Sequence, residues 1–172
     1  MIAVVSTDYV YFLADDDAAA AEALTRPGGP LGWPEVTGQR KTGLFRKEPV
    51  VTELGPGYPG FATPAVDPVV ALGTLAELLT GVDYDAVQDD PRHGAEVAST
   101  PTGDRMVLAV TDSLREALTA VEDSRIAELA EAWGRTEELE HADPADLREV
   151  LRGLRELARG DARARLYAYL AA

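Results

Sequence analysis

Between Asp143 and Leu170 the interval between apolar residues changes once, from three-and-four to two. Leu147, Val150, Leu151, Leu154, Leu157 and Ala158 repeat with the helical period. Leu166, Ala168 and Leu170 then alternate with Tyr167 and Tyr169. A side chain returns to the same face every 3.6 residues on a helix and every second residue on a strand, so this segment predicts a long amphipathic helix followed by a strand. The helix is well punctuated. Asp143 can cap it, Pro144 fills the first position where a missing N–H is free of cost, Asp146 adds negative charge to the first turn, and Gly160 stops it. Gly153 lies inside it at a cost of about 1 kcal/mol relative to Ala, which implies a close neighbour. Arg148, Arg152, Arg155 and Arg159 lie on the polar side, where Glu149 and Glu156 are expected to pair with the arginine three residues on and leave a solvated face.

The preceding segment fits the same scheme. Met106–Val110 is a short apolar strand. Ser113 with Glu116 has capping-box spacing before the stripe Leu114, Ala117, Leu118 and Val121. Asp123-Ser124 opens a second short helix carrying Ile126, Leu129, Ala130 and Trp133, with Gly134 suited to a left-handed end. Earlier, Ile2–Ser6 and Tyr9–Leu13 are strand material, and Asp15-Asp16-Asp17 caps the alanine-rich helix Ala18–Leu24. Asp67-Pro68 opens another helix, with Ala71, Leu72, Leu75, Leu78 and Leu79 on one face and Gly81 as its stop. The fold expected is α+β: one domain over residues 1–172, a small mixed sheet, and four to five helices mainly on one face. Residues 27–64 are rich in Gly and Pro and are expected to be irregular.

Composition enters where it excludes chemistry. The chain has no cysteine, so disulfides, thiolate metal sites and cysteine nucleophiles are absent together. Its formal charge of −14 disfavours nucleic acid and suits a basic protein partner. No apolar run approaches the roughly 20 residues of a membrane span, and Asp8 follows Ile2–Val5 too soon for a signal peptide, so a cytoplasmic protein is expected. His93 and His141 have no second histidine at metal spacing, and Ser99 and Ser124 lack a nucleophile elbow. Gly38-Gln39-Arg40-Lys41-Thr42 lacks the order of a phosphate-binding loop. Asp83-x-Asp85-x-x-x-Asp89 lacks the glycine and glutamate of a calcium loop. Catalytic residues, cofactor and metal are therefore not expected.

Two stretches together carry a resemblance. One is Asp67-Pro68-Val69-Val70-Ala71-Leu72-Gly73-Thr74-Leu75 through Leu79-Thr80-Gly81. The other is Trp133, Thr136-Glu137-Glu138-Leu139, the long helix and the terminal aromatic strand. They are similar to small uncharacterised actinobacterial proteins, and their element order distantly resembles the YfbM-like domains of unknown function. Proteins of that group often end in Leu-Tyr-Cys-Trp, whereas this strand reads Leu166-Tyr167-Ala168-Tyr169. The resemblance implies no activity. Two functional expectations follow from the residues. The first is a non-enzymatic protein that binds a basic partner through Asp83, Asp85, Asp89 and Asp90. The second is a small enzyme or ligand-binding protein with a Gly/Pro-rich lid carrying Trp33, Arg40, Lys41 and Arg46.

Overall fold

The computed structural model describes residues 8–32, 35–41, 47–52, 57–63 and 66–171. In chain order the elements are β1 (Asp8–Ala14), α1 (Asp17–Ala21), β2 (Glu35–Lys41), β3 (Lys47–Thr52), β4 (Gly60–Thr63), α2 (Val70–Thr80), α3 (Tyr84–Gln88), β5 (Glu96–Ser99), β6 (Arg105–Ala109), α4 (Asp112–Thr119), α5 (Ile126–Trp133), α6 (Pro144–Ala158) and β7 (Arg165–Ala171). The architecture is α+β, with a five-stranded sheet in the order β4-β1-β7-β6-β5. All its pairings are antiparallel, not mixed: β5 and β6 form a hairpin, and the helical excursion from β6 brings β7 back in the opposite direction. β2 and β3 pair separately as a two-stranded hairpin.

The alternation in β1 and β7 is used on both faces. Tyr11, Leu13, Leu166 and Ala168 meet the helical layer, while Phe12, Ala14, Tyr167 and Tyr169 face the other way. Register places Tyr11 opposite Ala168 and Phe12 opposite Tyr167, so one large ring meets a methyl and the other stacks at 5.7 Å between centroids. On the helical side α2, α4, α5 and α6 form the main core around fully buried Trp133, whose indole N–H donates to the Ala71 carbonyl at 2.9 Å and ties α5 to α2. The opposite face is covered by Ala20, Ala23 and Leu24, in and just beyond α1.

Local signals hold for α6 and α2. Asp143 accepts from the Ala145 amide at 2.7 Å, and Pro144 is the first residue of α6. Asp67 accepts from the Val69 and Val70 amides, and Gly81 ends α2 at φ +70°. Other expectations are corrected. Thr111, not Ser113, caps α4 by accepting from the Leu114 amide at 3.3 Å. Gly134 is right-handed at φ −66°; its missing β-carbon instead leaves room for Leu147, whose methyl would stand 3.1 Å from it. The stretch 27–64 contains a 3-10 turn at Gly29–Leu31 and the strands β2, β3 and β4, and residues 84–88 form a helix.

The arginine side of α6 is not a uniformly solvated face. Arg155 is 5% exposed and grips Asp123 at 2.6 Å, while Arg159 donates to the carbonyls of Thr119 and Val121 at the end of α4. Glu149 does pair with Arg152, but Glu156 pairs with Arg155 at 3.3 Å and not with Arg159. Gly153 has the close neighbour its position implies: a β-carbon there would stand 2.9 Å from the Phe61 ring of β4. Leucine is a better helix former than glycine by nearly 1 kcal/mol, so Gly153→Leu isolates the steric effect. It should lower stability by about 1–3 kcal/mol, read as a lower urea midpoint at unchanged slope. A raised midpoint would show that α6 is not seated on Phe61.

Candidate functional site

The helical period that turns Leu147, Leu151 and Leu154 into the core places Asp146, Glu149 and Val150, Gly153, and Glu156 and Leu157 in succession along an adjoining side of α6, with Gly160 just past its end. Two grooves lie along that side. The first, about 470 Å³, runs between α6 and β4. Phe61, Leu147 and Val150 supply its apolar surface, and Asp143, Asp146 and Glu149 its carboxylates; Ala62, Thr63, His141 and Ala142 complete the lining. The second, about 370 Å³, has Leu13, Tyr58, Pro59 and Leu157 below and Asp15, Glu156 and Asp161 around it. Phe61 over Gly153 separates the two. No lysine or arginine lines either groove.

Some of these carboxylates are already engaged. Glu149 meets Arg152, Glu156 meets Arg155 at 3.3 Å, and Asp161 meets Arg163 at 3.9 Å. Asp143 caps α6, and the Arg26 guanidinium lies 5.3 Å from the centre of the Tyr58 ring. Asp15 and Asp146 have no ion pair among the described residues. The pairs of Glu149 with Arg152 and of Asp161 with Arg163 are exposed and worth less than about 1 kcal/mol, whereas Arg155, beside Glu156, is buried and also held by Asp123. The arrangement suits binding: an apolar floor to cover, and negative charge at its margin.

A third groove, about 420 Å³, begins where the second ends and shares Gly160 and Ala164 with it. Arg115, Arg159, Arg163 and Arg165 surround it with Asp112 and Glu116. Two of its cations, Arg115 and Arg159, tie neighbouring elements together. Arg115 donates to the carbonyls of Asp161 and Ala164, Arg159 closes the end of α4, and Arg165 lies 3.9 Å from Asp112.

On the other face of the sheet a polar cluster ties α1 down. The buried Tyr167 hydroxyl donates to Asp17 at 2.7 Å, and Arg92 donates to the same carboxylate at 3.2 Å while lying 5.8 Å from the Tyr167 ring centre. Hydrogen bonding from Tyr167, then the Arg92 guanidinium, holds the Asp17 carboxyl below its ordinary value. Burial, reinforced by Asp17, pushes the Tyr167 phenol up to about 12. His93 packs on α2, where a β-carbon on Gly73 would meet Tyr84 at 2.6 Å and His93 at 3.3 Å. Ser99 donates to Glu96 on its own strand at 2.7 Å. Among the described residues no group of three or more Asp, Glu or His side chains is arranged to hold a metal ion, and no helix is long and apolar enough to cross a membrane.

The acidic residues singled out in the sequence belong to local turns. Asp83 caps α3 by accepting from the Asp85 amide, Asp85 lies in its first turn, Asp89 follows its last residue, and Asp90 accepts from the Arg92 amide at 2.8 Å. Asp90 borders a small pocket of about 180 Å³. Trp33 and Arg46 lie outside the described residues. Arg40 and Lys41 belong to β2, and their side chains lie outside them. Sequence reasoning missed the α6 rim, although Asp143, Asp146, Glu149 and Glu156 carry a helical interval of three to seven. No family model, no curated protein and no solved structure matches the chain.

The polar cluster has a measurable pH signature. Tyr167→Phe should cost about 1 kcal/mol at neutral pH, a modest figure for a charged acceptor because Asp17 is half exposed. The folded pKa of Asp17 is depressed, so its contribution is present above the ordinary value of 3.8 and is lost as pH falls through the folded one. The folded pKa of Tyr167 is raised, so its contribution is present below 10.0 and is lost between there and about 12. Urea midpoints of the two proteins should therefore converge at both extremes of pH. A constant difference would show that the hydroxyl does not hold Asp17.

Proposed function

We propose that the protein is a non-enzymatic, cytoplasmic binding protein that holds a basic, partly apolar segment of another protein along the α6 side of the sheet. The observation that carries this reading is a pair of apolar grooves edged by Asp143, Asp146, Glu149, Asp15, Glu156 and Asp161, with no lysine or arginine in either lining. The net charge of −14 supports it from a distance, because long-range attraction accelerates encounter with a basic partner while repelling phosphate backbones. Once the segment is docked, the apolar floor supplies the binding energy and the carboxylates select basic side chains over acidic ones. The reading moves the interface from Asp83, Asp85, Asp89 and Asp90, of which Asp83 caps α3 and Asp90 caps the turn after it, to the α6 rim. An enzyme using a lid around Trp33 gains no support from the described residues.

Affinity capture from the source lysate tests this, with wild-type protein run beside two variants. Asp146→Asn/Glu149→Gln/Glu156→Gln should reduce recovery of the wild-type partner by about tenfold, and high salt should do the same. Asp83→Asn/Asp85→Asn/Asp89→Asn/Asp90→Asn should change it by less than about twofold. Equal recovery by wild type and the α6 variant would remove the rim from the interface.

A further inference from the structure

We infer that the basic segment binds as an added β-strand, pairing with the outer edge of β4 while its alternate side chains reach the carboxylates of α6. The inference rests on the reading above and specifies the form of the partner. β4 ends the sheet, and among the described residues it pairs only with β1. The Leu13 amide donates to the Pro59 carbonyl at 2.9 Å, and Phe61 stands opposite Tyr11 two positions on. Antiparallel ladders alternate, so Phe61 and Thr63 spend their backbone groups on β1 while Gly60 and Ala62 turn theirs outward. Gly60 and Ala62 are the exposed residues of the strand.

Sheet edges are ordinarily blunted by lysine, proline, bulges or inward charge. The far edge of this sheet shows such devices: β5 begins with exposed Glu96, and its register slips between Glu96 and Ala98. Gly60-Phe61-Ala62-Thr63 carries none of them within its length, and in the sequence it is flanked by Pro59 and Pro64. The charge lies across the groove instead, on Asp143, Asp146 and Glu149.

The spacings agree. Side chains two apart on an added strand are about 6.8 Å apart. Three residues of α6 advance about 4.5 Å and six about 9 Å. One such step falls between these two intervals, so two basic residues at alternate positions lie within reach of Asp143, Asp146 and Glu149; their own methylene stems cover Phe61 and Val150, because the intervening residues face the other side of the sheet. A second copy of the chain is the wrong occupant, because edge-to-edge pairing would set the same carboxylates against each other between molecules of charge −14. The fitting partner is an extended segment in which lysine or arginine alternates with small aliphatic residues.

The test uses the intact protein and three probes: a peptide alternating Lys and Val, the same peptide N-methylated along one edge, and a peptide with Lys and Leu at helical spacing. The alternating peptide should bind, and its affinity should fall by about tenfold on edge N-methylation, with Ala62→Pro, or with Asp146→Asn/Glu149→Gln. The helical peptide should bind at least about tenfold more weakly. N-methylation leaves the protein unchanged, so its result stands even if Ala62→Pro disturbs β4. If rim neutralisation weakens binding while N-methylation and Ala62→Pro do not, strand addition is overturned and the acidic binding surface remains. If rim neutralisation has no effect, or the alternating peptide fails to bind at millimolar concentration, both are overturned. A concentration-dependent dimer abolished by Ala62→Pro would assign the edge to a second copy and overturn the inference.

Discussion

The helical layer meets the edge of the sheet where α6 has no β-carbon. At Gly153 the Phe61 ring occupies the space a side chain would need, and at Gly160 the Leu13 methyl comes within 2.7 Å of the same hypothetical position. Gly153, inside the helix, gives up close to 1 kcal/mol of propensity, and contact with the sheet offsets it, whereas Gly160 lies just past the end of α6. These two approaches fix how near α6 lies to β4 and β1. They also fix the width of the grooves on either side of Phe61, so the surface proposed for binding is a by-product of how the helix is seated.

Burial on both sides of the central strands follows from the same economy of space. Tyr11 and Tyr167 are fully buried on opposite faces, and each hydroxyl needs a partner: Tyr11 donates to the Val66 carbonyl at 2.8 Å, and Tyr167 to Asp17. The first bond anchors the segment leading into α2. The second holds a five-residue helix that is too short to persist alone and has mostly alanine with which to cover two tyrosines and a phenylalanine. A thin second layer therefore depends on polar ties, whereas the helical layer is held by apolar volume around Trp133.

What the sequence made legible was whatever is decided locally. Asp143-Pro144 and Asp67-Pro68 announce α6 and α2 because a cap and a fixed φ act within one turn. β7 is legible because both of its faces are buried, which makes Leu166–Leu170 an unbroken run of apolar and aromatic residues. β4 and β5 are only four residues each, the first with glycine and alanine and the second with exposed ends; their strand character comes from the neighbour they pair with. Arg155 reads like its exposed neighbours Arg152 and Arg159, and only the placement of Asp123 beside it makes it a buried tie between α6 and the turn before α5. The rim was hidden for a related reason. Its carboxylates alternate with arginines along α6, and the floor that gives them meaning comes from Phe61 and Tyr58, far away in the chain.

The strand order also sets the timing of assembly. β1 and β7 are neighbours in the middle of the sheet, and the Tyr167–Asp17 contact beside them joins residues 150 positions apart. Closing so long a loop carries a large entropic cost before any pairing offsets it, and topologies of this kind fold slowly. The helices between β6 and β7 need only neighbours in the chain to begin forming, whereas among the described residues β4 is attached to the sheet only through β1. The open edge is thus completed late, and a partner strand that captures it would draw the equilibrium toward the finished sheet by mass action. Occupancy of this surface and maturation of the fold are two readings of one thermodynamic linkage.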